Sequence, residues 1–301
     1  MLLDTIIYDH SMDEFIDIIK DVKSMLQVKK INVGIEEKVE DGSHIVKIYS
    51  VTDNEEENNS IRRSINLYLS MEIYYIMSKL YTESILKQFL MEKYFFLNKK
   101  EINYLIGRAD ETLNCDKIII EPKGINYINR KNQIITQILN CLNDNREFNI
   151  NGFITFRKNE VYNEFKDITD ELVEDFIVEK EYKEFIKLLR YFVTMQECKI
   201  SELNIIVTKD KNYYLLNKKG EDIRDDIIGQ LPLKDKKISG IINESDLIIG
   251  GLITNVPKRI VIHGCDNNHD DELINTIKDI FIDRVAFCHG CEFCRIYKQY
   301  N

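Results

Sequence analysis

Residues 259–263 read Arg-Ile-Val-Ile-His, and residues 284–287 read Arg-Val-Ala-Phe. Both stretches are short and almost continuously apolar, which is typical of strands buried on both faces. Between them, residues 270–281 place four apolar side chains at helical spacing: Leu273, Ile274, Ile277 and Ile280. A strand, a helix and a second strand within roughly 30 residues predict a βαβ unit with parallel strands. This unit decides the fold of the last third of the chain.

Cysteine and histidine residues follow both strands of this unit. The first strand leads into His263-Gly-Cys265-Asp-Asn-Asn-His269, and the second into Cys288-His-Gly-Cys291-Glu-Phe-Cys294. Because the strands of a βαβ unit are parallel, both segments should leave the same edge of the sheet. The sequence therefore predicts a thiolate-rich metal site, which suits zinc or an iron–sulfur cluster. The predicted ligands are Cys265, Cys288, Cys291 and Cys294, with His263, His269 and His289 as substitutes.

Two other interpretations of this cysteine cluster are open: ordinary reduced thiols, and a dithiol redox site. A zinc ribbon would use two separate Cys-x-x-Cys pairs, whereas the first segment offers one cysteine and histidines. A ferredoxin would continue to a fourth cysteine before a proline, which is absent here. A thioredoxin-like site would place Cys288-His-Gly-Cys291 at a helix start, with more sheet after it than the chain has left. Cys115, Cys141 and Cys198 have no partners nearby in sequence and are interpreted as small buried apolar residues.

The chain as a whole is predicted to be an α+β protein with three parts. Residues 1–55 carry apolar alternation around a short helix and an Asp41-Gly42 turn, which predicts a small βαββ unit. Helical spacing dominates residues 56–200, apart from a brief alternation over residues 148–156. Residues 201–301 form a C-terminal α+β module with a hairpin, the βαβ unit and the cysteine cluster. The predicted fold is a helix-rich centre flanked by the N-terminal βαββ unit and a C-terminal mixed sheet.

Local signals place several helix and strand ends. Ser11-Met-Asp-Glu14 has the spacing of a capping box, and Asn98 is a candidate N-cap. Residues 118–120 are predicted to form a short strand before Pro122. A long helix is predicted over residues 165–196, where apolar side chains recur at helical spacing.

Composition and charge exclude several classes of function. The chain has 301 residues, with 51 Asp and Glu against 41 Lys and Arg, so its formal net charge is −10. A general nucleic-acid binder usually carries a cationic face, so no nucleic-acid partner is expected. Met1–Asp9 has no basic residue, and no apolar stretch reaches the length of a membrane span. We expect a cytoplasmic protein without an integral membrane segment, whose seven cysteines are thiols or metal ligands.

Three stretches together resemble the sporulation protein YtxC family of endospore-forming bacteria. The first is Ile150-Asn-Gly-Phe-Ile-Thr-Phe-Arg157, and the second is Val178-Glu-Lys-Glu-Tyr-Lys-Glu-Phe-Ile-Lys-Leu-Leu-Arg-Tyr-Phe-Val193. The third runs from Asp246-Leu-Ile-Ile-Gly-Gly-Leu-Ile-Thr254 through Pro257-Lys-Arg-Ile-Val-Ile-His263 to Cys294. Their order and spacing match the family from about residue 100 to residue 296.

The resemblance implies a role in sporulation but no reaction, because the family has no established activity, substrate or catalytic residue. We therefore expect a protein that is not an enzyme and that acts through contacts with another protein, with the helical centre as its contact surface. The alternative is a redox protein or sensor that holds zinc or an iron–sulfur cluster in the C-terminal cysteine cluster.

Overall fold

The computed structural model describes residues 1–9, 15–28, 31–114, 122–208, 212–229, 243–264 and 271–298. These residues form helices and two four-stranded sheets, which confirms the predicted α+β fold. The chain divides into two compact units, Met1–Phe176 and Ile177–Asn301. No helix within the described ranges is long and apolar enough to cross a membrane.

The first unit combines a sheet with a set of long helices. Its sheet has the strand order β2-β3-β1-β4, with β4 parallel to β1 and the other pairs antiparallel. The first four elements confirm the predicted βαββ unit. The elements are β1 (Leu2–Asp9), α1 (Phe15–Val28), β2 (Val33–Glu40), β3 (Ser43–Ser50), α2 (Glu55–Ser84), α3 (Leu86–Lys93), α4 (Lys99–Asn114), α5 (Pro122–Asp144), β4 (Glu147–Asn149) and α6 (Ile150–Met195), whose last residues belong to the second unit.

A buried ion pair ties the sheet of the first unit to α2. Arg62 donates from Nε to Asp4 Oδ1 at 2.8 Å. Its Nη2 donates to the backbone oxygens of Leu142 and Asn145 at the end of α5. Asp4 is only 3% exposed. Burial raises the pKa of its carboxyl to about 6, against the opposing attraction of Arg62 and Arg146.

The helix ends of the first unit confirm one sequence prediction and correct another. Asn98 caps α4, since its Oδ1 accepts from the N–H groups of Lys100 and Glu101. The alternation over residues 148–156 is a strand only as far as Asn149, and α6 begins at Ile150 instead of at residue 165. The reason is local: Asn149 Oδ1 accepts from Gly152 N at 2.8 Å. Two further predictions lie outside the described residues: the capping box at residues 11–14 and the strand at residues 118–120.

The second unit is built around a mixed sheet with the strand order β6-β5-β7-β8. β6 is antiparallel to β5, while β5, β7 and β8 are mutually parallel. The predicted hairpin and the predicted βαβ unit, β7-α9-β8, are both confirmed. The elements are β5 (Leu203–Val207), β6 (Tyr213–Asn217), α7 (Arg224–Ile228), α8 (Glu244–Asn255), β7 (Ile260–His263), α9 (Glu272–Phe281), a 3₁₀ turn (Ile282–Arg284), β8 (Val285–Phe287) and α10 (Glu292–Lys298).

The two faces of this sheet have different roles. One face forms the main core of the unit with α8 and α9, and its central strands contribute Leu203, Ile205, Ile260 and Ile262. Because side chains alternate along a strand, Asn204 and His263 lie on the opposite face. Both of these polar residues are buried. This second face, where α10 lies against β5, carries the candidate site.

Candidate metal centre

The two cysteine and histidine segments leave the same edge of the sheet, as the strand directions predict. His263 is the last residue of β7, and Cys288 directly follows β8. The two strands are parallel, with Ile262 paired to Phe287. Cys288 N donates to Ile262 O at 2.8 Å, so the chain is still held to the sheet where the cysteine segment begins.

Two glycines shape the turns that follow these strands. Gly264 has φ +83°, and a Cβ at this position would lie 2.2 Å from the carbonyl oxygen of Val207. Gly290 has φ +133°, a conformation that side chains rarely adopt. It lies in the bend between Cys288 and Cys291.

The short helix α10 supplies the rest of the segment. The carbonyl oxygen of Cys291 accepts from Arg295 N, so Cys291 stands at the helix start. Cys294 lies in the first turn and is buried, whereas Cys291 is half-buried. Phe293 lies edge-on to His263, with ring centroids 5.8 Å apart.

Four donor atoms meet at this edge, and all lie within 4.8 Å of one another. They are His263 Nδ1 and the sulfurs of Cys288, Cys291 and Cys294. Cys294 Sγ is 3.8 Å from Cys291 Sγ and 3.7 Å from Cys288 Sγ. His263 Nδ1 is 3.4 Å from Cys291 Sγ and 3.5 Å from Cys294 Sγ. We call these four residues the Cys₃His cluster.

These four separations match edges of a tetrahedron around a single zinc ion, and the remaining two, from Cys288 to Cys291 and to His263, are no longer than 4.8 Å. Zn–S bonds of about 2.3 Å and Zn–N bonds of about 2.0 Å give edges of roughly 3.8 Å between sulfurs and roughly 3.5 Å between sulfur and nitrogen. In a four-iron cluster each cysteine binds a different iron, which spreads the sulfurs farther apart. The geometry of the Cys₃His cluster therefore suits one tetrahedral ion better than a four-iron cluster.

A buried hydrogen-bond chain orients the histidine. His263 Nε2 is 3.0 Å from Asn204 Oδ1, and Asn204 Nδ2 donates to the carbonyl oxygen of Asn217 at 3.2 Å. Because the amide nitrogen of Asn204 is directed to Asn217, its oxygen faces His263 and accepts a proton from Nε2. This arrangement assigns the lone pair to Nδ1, the nitrogen that faces the three sulfurs.

Burial and hydrogen bonds between neighbouring groups shift the pKa values of three residues of the cluster. Burial lowers the pKa of His263, which favours the neutral imidazole that binds metals. Burial raises the pKa of Cys288 to about 11, and hydrogen bonds with the neighbouring thiols act in the same direction. Burial also opposes ionisation of Cys291, but backbone N–H groups and the other thiols outweigh it and lower its pKa.

The remaining predicted ligands and cysteines either fall outside the described residues or are described and do not belong to the Cys₃His cluster. Cys265 and His269 fall outside the described residues, and so does Cys115. His289 is exposed and is not part of the Cys₃His cluster. Cys198 is exposed, with Arg284 Nη1 at 3.6 Å from its sulfur, so its interpretation as a buried apolar residue is wrong.

Sequence reasoning missed Asn204, the hydrogen-bond partner of the histidine. The signal was available: one amide side chain interrupts the apolar strand Leu203-Asn-Ile-Ile-Val207. A polar side chain buried in such a strand needs a partner, because an unpaired buried amide destabilises the fold.

Comparison with known proteins places the chain among relatives. Residues 67–286 match the model of a family described as the YtxC-like family. The match covers well over half of the chain, includes Asn204 and His263, and ends before Cys288. A relative from Bacillus subtilis (strain 168), described as uncharacterized protein YtxC, is 24% identical over 196 residues, which are 64% of this chain and 66% of the relative. The chain thus spans slightly less than two thirds of that relative's length. No solved structure matches it.

Proposed function

We propose that this chain, which belongs to the YtxC-like family, binds one zinc ion through the Cys₃His cluster. The description of the family names no reaction, so the proposal is drawn from the site itself. The observation that carries the proposal is the near-tetrahedral spacing of three sulfurs and one imidazole nitrogen. The buried Nε2 hydrogen bond of His263 adds support, since metal-bound histidines almost always donate their other N–H.

The proposed role of the ion is structural. Four protein ligands fill a tetrahedral zinc site and leave no position for water or substrate, which is typical of structural centres. The element that the ion would hold is α10, a helix of only seven residues. Over residues 292–296 of this helix Cys294 is the one buried residue, Phe293 is half-buried, and Ile296 is exposed. Zinc would hold this helix against the face of the sheet that carries Asn204 and His263.

The proposal is tested by elemental analysis of protein purified without oxygen and with a thiol reductant. We expect one zinc per chain and a colourless protein. Cys291→Ser and Cys294→Ser should lower the zinc content to well below one. Cys198→Ser is the matched control, because Cys198 is exposed and lies outside the cluster, and it should keep the full zinc content.

The opposite results would overturn the proposal. A native chain without stoichiometric zinc would do so, and so would cysteine variants that keep it. A brown protein with iron and sulfide would replace zinc by an iron–sulfur cluster, which the observed sulfur separations disfavour.

We further propose that the protein acts in sporulation, in the cytoplasm, through contact with another protein. The family resemblance supports the setting, and a reducing cytoplasm would keep the three thiols available for zinc. An exposed apolar stripe on α6 supports the contact. It consists of side chains that are each more than half exposed and are spaced three and four residues apart: Phe185, Leu188, Phe192 and Met195. This spacing is typical of a helix that packs against a partner helix.

The sporulation proposal is tested by deleting the gene and counting heat-resistant spores. We expect a reduced count that the native gene restores. A Phe185→Glu, Phe192→Glu gene should fail to restore it, although its product accumulates to the native level. Lys183→Glu, on an exposed position of the same helix, is the control and should restore the count. An unchanged spore count after deletion would exclude the role, and restoration by the double variant would exclude the stripe.

A further inference from the structure

We infer that Asn204 is a positioning residue of the Cys₃His cluster: it sets the zinc affinity by fixing which nitrogen of His263 faces the three sulfurs. The inference rests on the proposed zinc binding. It assigns a specific task to a residue that lies 59 positions before the histidine and does not itself contact the ion.

The position of Asn204 in its strand is the first reason. Leu203 and Ile205, its neighbours, are fully buried in the core on the other face of the sheet. Asn204 is 3% exposed, so its amide has exchanged water for protein partners. Burial of an amide destabilises a fold unless its polar atoms are bonded, and asparagine disfavours strands. An apolar residue would serve this strand better if packing were the only requirement.

The fixed direction of the amide is the second reason. Asn204 Nδ2 donates to the carbonyl oxygen of Asn217, which ends β6. Asn217 is itself held in place, because its Oδ1 accepts from the backbone N–H groups of Lys219 and Glu221. The amide of Asn204 therefore cannot flip without losing the bond to Asn217. Its oxygen therefore remains directed to His263. Asn204 on β5 is bonded to Asn217 on one neighbouring strand, β6, and to His263 on the other, β7.

The chemistry of a neutral imidazole gives the consequence. One ring nitrogen carries a proton and the other a lone pair, and a zinc ion needs the lone pair. With Asn204 Oδ1 as acceptor, the proton stays on Nε2 and Nδ1 faces the sulfurs. Without an acceptor, the ring is free to place its proton on Nδ1 or to rotate. Loss of such a partner typically weakens metal binding 10- to 100-fold.

The test measures zinc affinity by competition with a chromophoric chelator, at one pH, for four full-length chains. These are the native chain, Asn204→Leu, Asn204→Asp and Asn255→Leu. Asn255 is the matched control: it is a buried asparagine of the same unit, and its amide bonds to the carbonyl oxygens of Ile227 and Gly251, away from the cluster. Circular dichroism selects chains that are folded.

We expect Asn204→Leu to bind zinc about 10- to 100-fold more weakly than the native chain. Asn204→Asp keeps an acceptor for Nε2–H but loses the donor to the carbonyl oxygen of Asn217, so it should bind zinc more tightly than Asn204→Leu does. Asn255→Leu should keep the native affinity. The absorption bands of a cobalt-substituted protein give an independent readout, because loss of the imidazole ligand shifts them in Asn204→Leu alone.

The outcomes separate this inference from the proposed function. If the native chain binds zinc and Asn204→Leu binds it equally well, the inference is wrong and the zinc site stands. If Asn255→Leu weakens zinc as much as Asn204→Leu does, the effect is general destabilisation and the inference is wrong. If the native chain binds no zinc, the proposed function itself fails. Should Asn204→Leu not fold, Asn204→Ser replaces it, because a serine hydroxyl is too short to reach Nε2.

Discussion

The Nδ1 atom of His263 lies 3.5 Å from the sulfur of Cys294, although the two residues are 31 positions apart in the chain. One residue ends a strand of the sheet, and the other lies in the first turn of α10. This contact joins the helix to the sheet through the Cys₃His cluster. The stability of α10 should therefore depend on whatever holds these two residues together.

Removal of zinc should destabilise the second unit. An ion present at 100 times its Kd stabilises the folded state by about 2.7 kcal/mol, and a strong chelator should remove this contribution. Calorimetric scans with and without chelator measure the change. In Cys294→Ser the contribution should already be absent, so the chelator should leave its transition unchanged. Equal shifts in both chains would contradict a site that includes Cys294.

Replacement of Gly264 by alanine should be costly. The residue has φ +83°, and the new Cβ would lie 2.2 Å from the carbonyl oxygen of Val207, so the backbone next to His263 must move. We expect Gly264→Ala to lower the free energy of unfolding by at least about 2 kcal/mol. Urea unfolding measures the loss, together with the zinc affinity, which should also fall.

Gly107→Ala is the control for that substitution. Gly107 lies within α4, and a Cβ there would meet nothing within 4 Å. Alanine is the better helix former, so this change should raise the free energy of unfolding by about 0.5–1 kcal/mol. A Gly264→Ala chain as stable as the native protein would show that the turn tolerates a side chain.

Neighbouring residues of α6 should respond very differently to truncation. Ile186 is 4% exposed and belongs to the core of the second unit, whereas Leu188 is 57% exposed. Ile186→Ala should cost about 2–4 kcal/mol, because it leaves a cavity. Leu188→Ala should stay within about 0.5 kcal/mol of the native chain. Urea unfolding compares the two, and equal costs would mean that the exposed stripe is covered in the folded protein.

The buried carboxyl of Asp4 should give the first unit a specific pH dependence. Its folded pKa of about 6 lies above the value of about 3.9 for an unfolded chain, so between these values the folded state binds more protons. Its contribution to stability is present below about pH 4 and is lost as the pH rises through about 6.

Asp4→Asn isolates this contribution. The difference in the free energy of unfolding between the native chain and the variant should fall by roughly 2 kcal/mol from pH 4 to pH 7. Urea unfolding at a series of pH values measures it, and the other carboxyl groups cancel in the difference. A difference that is constant with pH would mean that Arg62 keeps Asp4 ionised over the whole range.

Much of the C-terminal site could be predicted from the sequence because its signals are local. The apolar strands ending at His263 and Phe287 and the helix between them each have a clear periodicity. Their order then requires parallel strands with both ends at one edge. That is why the convergence of His263 with the three cysteines of the second segment followed from topology.

The parts that could not be predicted depend on distant partners. The three residues of β4 pair with β1, about 140 positions earlier, and the brief alternation over residues 148–156 does not indicate which strand they join. The predicted start of the long helix at residue 165 was wrong, because the alternation over residues 148–156 indicated a strand where Asn149 in fact caps α6. The partner of His263 was missed because Asn204 lies on β5 and comes near the histidine only when β5 pairs with β7. The division of the chain into three parts stays a prediction.

The pairing of Thr5 with Glu147 also has a consequence for synthesis on the ribosome. β1, β2 and β3 lie within 50 residues of one another and can pair as soon as all three have emerged. The other edge of β1 then stays unpaired until Asn149 has left the exit tunnel, after the described helices α2 to α5 have also been made. A nascent chain with an open strand edge is a template for wrong pairing. A chaperone that covers this edge would act in that interval, and a chain truncated before residue 147 should aggregate under conditions in which the 301-residue chain does not.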